Sequence, residues 1–145
     1  MSNIAKGGFR EDLNCYFRSR WEANTARYWN LLKIKWQYEP KEFEFKGIKR
    51  GNRFYKPDFY LPETDKYVEV KGWFTPDDKT KLRRFKKYYP EEFAKLHFVI
   101  GDPFSNSKAN CKILEFLIDE LKVSFLKLWS YRIRKKSAYL ISNWE

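Results

Sequence analysis

Histidine is nearly absent from this chain, and its scarcity excludes a large block of chemistry. His97 is the single histidine, and cysteine occurs only as Cys15 and Cys111. No zinc-ligand spacing exists, and HNH-type or other histidine-based nuclease reactions are excluded. Two cysteines make no disulfide framework and read as reduced thiols of a cytoplasmic protein. His97 lies in the apolar run Leu96–Ile100 and reads as structural. No stretch approaches the ~20 apolar residues of a membrane span. No apolar segment follows Met1–Gly8, as a signal peptide would require. Internal repeats and low-complexity tracts are lacking as well. Acid is in short supply: 19 Asp and Glu stand against 30 Lys and Arg, for a net charge of +11. Such a surplus calls for an acidic partner, nucleic acid first and an anionic membrane second.

What is present in 145 residues is enough for one domain with a single modest core. The chain is organised around Lys56-Pro57-Asp58-Phe59-Tyr60-Leu61-Pro62 and Tyr67-Val68-Glu69-Val70-Lys71-Gly72. Both halves read as strands, joined by the turn formers Pro62–Lys66. Side chains alternate along a strand, so Val68 and Val70 share one face and Glu69 and Lys71 the other. Hairpin pairing brings Asp58 to that second face. Two carboxylates about 4 Å apart repel by roughly 4 kcal/mol at an effective dielectric near 20. A divalent cation between them removes the penalty. Mg²⁺ suits the site, because it binds through one or two carboxylates and leaves room for waters and phosphate oxygens. A lysine beside it holds the attacking water and offsets charge developing on phosphorus.

At these residues the chain resembles the PD-(D/E)xK nuclease superfamily, with the motif read as Pro57-Asp58 and Glu69-Val70-Lys71. It is most similar to the phage endonuclease I family of junction-resolving enzymes. The likeness runs through Pro57, Asp58, Phe59, Leu61 and Pro62, then Val68, Glu69, Lys71 and Gly72, then Asp77, Asp78, Lys81 and Tyr89-Pro90. The upstream Arg18, Ser19 and Glu22 look like that family's helical carboxylate motif. The likeness covers roughly residues 18–100, with an echo near Trp144. It implies a restriction-endonuclease-like fold, in which a mixed β-sheet core is flanked by helices. It also implies a Mg²⁺-dependent endodeoxyribonuclease, with Mn²⁺ able to substitute, that cuts branched DNA as a homodimer. Asp58 and Glu69 would hold the metal with the Val70 carbonyl, Lys71 would position water, and Glu22 would complete the catalytic set. Glu39 is the nearest candidate for a further acid. A phage origin would place the protein in the host cytoplasm.

The flanks are read as follows. Residues 1–12 form a mobile arm whose Lys6 and Arg10 could touch phosphate. A helix runs from Ser19 to about Leu32, with Trp21, Thr25, Tyr28, Trp29 and Leu32 inward. Ser19 and Glu22 also have capping-box spacing, the structural alternative for Glu22. Arg18 and Arg20 then lie near substrate phosphates. Ile34–Tyr38 and Phe43–Phe45 are strands. The loop Lys46–Arg53, with Lys49, Arg50 and Arg53 between glycines, grips phosphate. Thr75, Pro76, Asp77 and Asp78 start a helix and need no catalytic role there. That helix ends at Tyr89 and carries Lys79, Lys81, Arg83, Arg84, Lys86 and Lys87 for the DNA backbone. Leu96–Ile100 is a central strand, and a helix follows over Lys108–Lys122. Residues 123–145 are a C-terminal extension, in which Tyr131–Arg134 alternates like a strand and Arg132, Arg134, Lys135 and Lys136 form another basic cluster. Its apolar end, with Trp144, docks on the body or on a second subunit.

The element order alone gives an α/β protein. Four functional readings stay open at this stage. They are the branched-DNA nuclease, a duplex-cutting or nicking enzyme of homing or mismatch type, a non-catalytic DNA-binding protein, and a membrane-surface protein.

Overall fold

A computed structural model describes residues 7–145. It shows a mixed α/β domain. The elements in order are β1 (Gly8–Arg10), β2 (Cys15–Phe17), α1 (Arg20–Leu31), β3 (Gln37–Tyr38), β4 (Phe43–Glu44), β5 (Phe54–Tyr55), β6 (Phe59–Leu61) and β7 (Lys66–Val70). They continue with α2 (Pro76–Tyr88), α3 (Pro90–Phe93), β8 (Leu96–Ile100), α4 (Lys108–Leu114), β9 (Leu128–Ser130) and α5 (Tyr131–Lys135). The main sheet has five strands in the order β3-β6-β7-β8-β9. Its first half is an antiparallel meander through β3, β6 and β7, and its second half runs parallel through β8 and β9.

Both faces of this sheet are covered, which explains the near-continuous apolar run of β8. Phe98 and Ile100 face one core with Leu82 and Phe85 of α2 and Leu117, while Val99 faces the other with Trp29 and Ala26 of α1. Val68 and Val70 join the α1 side. The opposite face of β7 is therefore roofed by α2 and its neighbours rather than bathed in water. Thr75 and Asp78 start α2 with a reciprocal capping box around Pro76. After Leu114 the helix α4 continues in the wider π form over Glu115–Glu120, so the expected helix is present with one change of winding.

Several expectations need correction. Residues 8–12, assigned to a mobile arm, are built into a hairpin and a following 3₁₀ turn, Glu11–Leu13, while Lys6 lies outside the described residues. Arg10 is held by Glu145 at 2.8 Å and is not a spare cation for phosphate. Leu32 is not on the inner face of α1. It is the exposed residue after the helix, whereas Asn24, Thr25 and Arg27 are buried. Of the strand expected over Ile34–Tyr38, only Gln37 and Tyr38 reach the sheet. Tyr131–Arg134 is helical rather than extended. The Ser130 hydroxyl accepts from the Ile133 N–H at 3.1 Å and starts a helix there, and the sheet residues are the three before it. The chain end does dock on the body, through Trp144 in the α1-side core and Glu145 beside Asn24.

Candidate active site

The antiparallel register pairs Phe59 with Val68, and one step outward it sets Asp58 across from Glu69. Both point away from the valines and into a cavity of about 310 Å³. Its walls include Tyr55, Asp58, Glu69, Lys71 and Asp78, with Arg18, Glu39, Lys56 and Lys81 around them. The parallel partner β8 fixes the far end of the strand, where the Lys71 N–H donates to the Val99 carbonyl at 2.9 Å. Asp58, Glu69 and Lys71, expected together from strand alternation and hairpin pairing, are brought together.

Each acid is held by few groups. The Val70 N–H donates to Asp58 Oδ2 at 2.8 Å, and the Tyr55 hydroxyl donates to Glu69 Oε1 at 2.6 Å. Lys71 Nζ lies 3.7 Å from Glu69 Oε2 and 3.3 Å from Asp78 Oδ1. Asp58 and Glu69 are only 8% and 5% exposed. Burial, then the charges of Glu69 and Glu22, hold the Asp58 carboxyl well above the usual range. Burial likewise pushes Glu69 up to about 7, against the opposing pull of Lys71 and Tyr55. Burial pulls the Lys71 ammonium down, but Glu69, Asp78 and Asp58 outweigh it and leave the group raised. Lys71 is thus a charged donor, not a neutral base.

Glu22 lies close enough for its charge to act on Asp58 and Glu69, yet it is not on the cavity wall. Half of its capping box forms: the Glu22 N–H donates to Ser19 Oγ at 3.2 Å. The carboxylate instead accepts from the Arg18 N–H at 3.3 Å and from the Tyr38 hydroxyl. Burial raises its pKa above the ordinary value. Glu39 does reach the cavity. Its N–H donates to the Asp58 carbonyl at 2.8 Å, and its carboxylate lies 3.0 Å from Arg18 and 3.9 Å from Lys56. The backbone there is left-handed, φ 48°, a conformation that costs a non-glycine residue about 1 kcal/mol and recurs at functional sites.

Sequence reasoning gave Asp78 only a capping role, and the structure gives it two. It closes the α2 capping box and holds Lys71. The first neighbour of Glu69, Tyr55, was missed, as was Tyr38. Lys56, at the edge of the cavity, was missed too.

The expected DNA-binding cations fall into two groups. Lys49, Arg50 and Arg53 are exposed on the β4–β5 hairpin, with Arg53 over the Phe54 ring. Arg18 and Arg20 flank the start of α1, with Arg18 committed to Glu39. On α2 much of the charge already has partners. Arg83 pairs with Glu120, Lys86 donates to the Leu121 carbonyl, and Lys79 lies over Phe116. Arg84 donates to the carbonyls of Gly51 at 2.6 Å and Asn52 at 3.0 Å, anchoring the basic loop, while Lys87 is exposed beside Tyr88.

No protein-family model matches the chain, and no curated protein or solved structure does either.

Among the described residues, no three His, Cys, Asp or Glu side chains group as a metal cage. Mg²⁺ does not require one, since it is satisfied by one or two carboxylates with waters and substrate oxygens. Asp58 and Glu69 supply that number, side by side in one cavity. The residues fit the ion.

Proposed function

We propose that this protein is a Mg²⁺-dependent endodeoxyribonuclease with a restriction-endonuclease-like core, hydrolysing DNA phosphodiester bonds at the Asp58–Glu69–Lys71 cavity. The observation that carries the reading is the register: Asp58 stands opposite Glu69, with a charged Lys71 3.7 Å from the glutamate. Asp58, Glu69 and the Val70 carbonyl would hold the ion. When bound, it supplies Lewis-acid polarisation of the phosphoryl group and neutralises charge on the scissile phosphate, and Mn²⁺ can take its place.

The chain's own residues account for the rest. Lys71 donates from its ammonium to the attacking water or to a phosphoryl oxygen, with its position set by Glu69 and Asp78. In-line attack on phosphorus forms the new P–O bond as the ester P–O bond breaks, the attacking water giving its proton to solvent and the leaving oxygen taking one from solvent. Tyr55 fixes the Glu69 carboxylate and the Val70 N–H fixes Asp58, so neither reorganises during reaction. Arg18, Lys56 and Lys81 at the cavity and Lys49, Arg50 and Arg53 on the hairpin supply the positive surface that a phosphate backbone needs. Junction resolution by a phage-type homodimer is the form we favour. It rests on the likeness to junction-resolving enzymes and on the need for paired incisions.

The test is cleavage of supercoiled plasmid, four-way junction, flap and linear duplex at fixed salt, with Mg²⁺ and with EDTA. Wild type should cut only with the metal and prefer the junction. Asp58→Ala and Glu69→Ala should bind DNA without cutting. Cutting that persists in both variants removes the assignment, and equal rates on all four DNAs remove the branch preference.

A further inference from the structure

A second cavity, of about 410 Å³, begins one residue beyond Lys71. Gly72 forms part of its wall, as do Arg20 and Trp21, the two residues before Glu22. It therefore shares both the β7 end and the α1 start with the acid cluster. The Trp21 ring lies over Gly72 and Gly101, its atoms at ordinary contact distance, 3.6 Å, from where a Cβ would stand at either glycine. Tyr131 stacks on that ring, centroids 4.2 Å apart and planes within 7°, and Trp144 lies 5.8 Å from Tyr131. The Asn24 amide donates to the Tyr131 hydroxyl at 2.9 Å, so the aromatic wall is fixed from behind.

The electrostatics of this cavity are lopsided. Arg20, Arg132 and Lys135 line it, with Asp102 and Glu145 as the acids. Glu145 is consumed by Arg10 and Arg27, each at 2.8 Å. Asp102 caps the Phe104 N–H at 3.0 Å and reaches Arg132 at 3.6 Å. Among the described residues Arg20 and Lys135 form no ion pair. A pocket with flat π-surface and uncommitted cations fits a nucleotide: the base stacks and the phosphate meets guanidinium or ammonium. Its volume lies in the small-ligand range, too little for a base pair with its backbone. A base inside a duplex already has both faces stacked, so an unpaired nucleotide is the one free to enter.

We propose that this cavity is a subsite for one unpaired nucleotide of a DNA strand, the base against the half-buried rings of Trp21 and Trp144, which the buried Tyr131 backs, and the phosphate against Arg20, Arg132 and Lys135. The inference rests on the nuclease reading for the polymer's identity. It gives that reading a physical source of preference for DNA with single-stranded character. A strand held here would leave the cavity past Gly72, next in sequence to Lys71.

The test uses the full chain and the double variant Arg132→Ala/Lys135→Ala, whose side chains are on the surface and leave the core intact. With Mg²⁺, cutting of a flapped duplex should fall about tenfold while cutting of the same duplex fully paired stays within about twofold. In EDTA, where nothing is cut, the variant should also bind a fluorescein-labelled oligothymidylate about tenfold more weakly by anisotropy. Equal losses on both duplexes, or unchanged oligothymidylate binding, would overturn the subsite. So would dTMP displacing the oligonucleotide at equal concentration, which would make this a free-nucleotide site. Wild type that cuts no DNA but shows the binding difference sinks the nuclease reading and leaves the subsite standing.

Discussion

Two charge clusters in this molecule, one half-buried around Arg27 and one buried at Asp58 and Glu69, are built on opposite terms. Beneath the β1–β2 hairpin, Arg27 donates to both Asp12 oxygens at 2.9 and 3.0 Å and to Glu145 at 2.8 Å, while Arg10 holds Glu145 from the other side. Asn24 adds bonds to Arg27 and to the Glu145 backbone. Every acid there is matched. Hydrogen bonds from Arg27 hold Asp12 below its usual range, and those from Arg10 and Arg27 do the same for Glu145. Across the sheet, Asp58, Glu69 and Glu22 sit with fewer cations than charges, and all three are pushed upward. The first cluster is finished within the chain and serves the fold. The second carries more acid than cation in a buried place, the arrangement that the proposed metal site calls for.

The largest effect is expected at Lys71. Lys71→Ala should lower the cleavage rate by at least about 10³-fold with DNA affinity kept, because it removes a donor used in the transition state. Asp78→Asn should cost less, roughly tenfold, since Lys71 keeps Glu69. Single-turnover rates on one junction would measure both. A loss in binding equal to the loss in rate would make Lys71 a phosphate anchor instead. The second-largest effect belongs to the matched cluster. Arg27→Ala leaves Asp12 without its partner and Glu145 with Arg10 alone, and should lower unfolding free energy by about 2–3 kcal/mol, read by urea denaturation. A shift under about 1 kcal/mol would mean that the cluster is solvated and ornamental.

The acid pair was readable because strand alternation and a short hairpin fix which side chains meet, and no distant partner has to be known. The same alternation hid Tyr55 and Tyr38. An aromatic residue in a strand looks like core, and only the folded chain shows a hydroxyl aimed at Glu69 or Glu22. Distance in sequence hid the matched cluster: Arg27 and Glu145 are 118 residues apart, and an arginine in mid-helix reads as solvent-facing. Arg10, at the edge of a polar stretch, looked free for the same reason. On α2 the run of cations read as a bare DNA-facing surface, since its acidic partner Glu120 and its carbonyl partners arrive from later or earlier segments. The α/β class followed from element order, but the parallel addition of β9 did not, because a three-residue strand before a serine-capped helix leaves no periodic trace.

The clusters should also respond to pH with opposite sign. Glu69 ordinarily titrates at 4.5 and in the fold at about 7, so the folded state binds more protons between those values. Stability of the metal-free protein should therefore fall as pH rises from about 4.5 to about 7 and stay low above it, by on the order of 3 kcal/mol. Glu69→Gln should flatten that limb, and Mg²⁺ should restore stability at pH 8. Asp12 and Glu145 are depressed, so their contribution is present above the ordinary carboxylate range and lost as pH falls through the lowered values. Thermal melts of wild type and Glu69→Gln in EDTA from pH 3 to 8 would resolve both limbs. A melting temperature that rises from pH 5 to 7 would contradict the charge shortage at the site.

The smallest effect separates cations that already have protein partners from those that do not. Lys49 and Arg50 stand exposed on the hairpin, whereas Arg83 is taken by Glu120 and Lys86 by the Leu121 carbonyl. Each unpartnered cation that neutralises a phosphate contributes about 0.9 to the log–log salt slope of binding. Lys49→Ala/Arg50→Ala should flatten the slope by up to about two, and Arg83→Ala by much less, because a phosphate must compete with a carboxylate already in place. Arg84→Ala should resemble the hairpin variant without itself touching DNA, since its guanidinium holds the loop at Gly51 and Asn52. If Arg83→Ala flattens the slope as much as the hairpin variant, Glu120 yields its partner to DNA. The basic face of α2 would then be part of the binding surface after all.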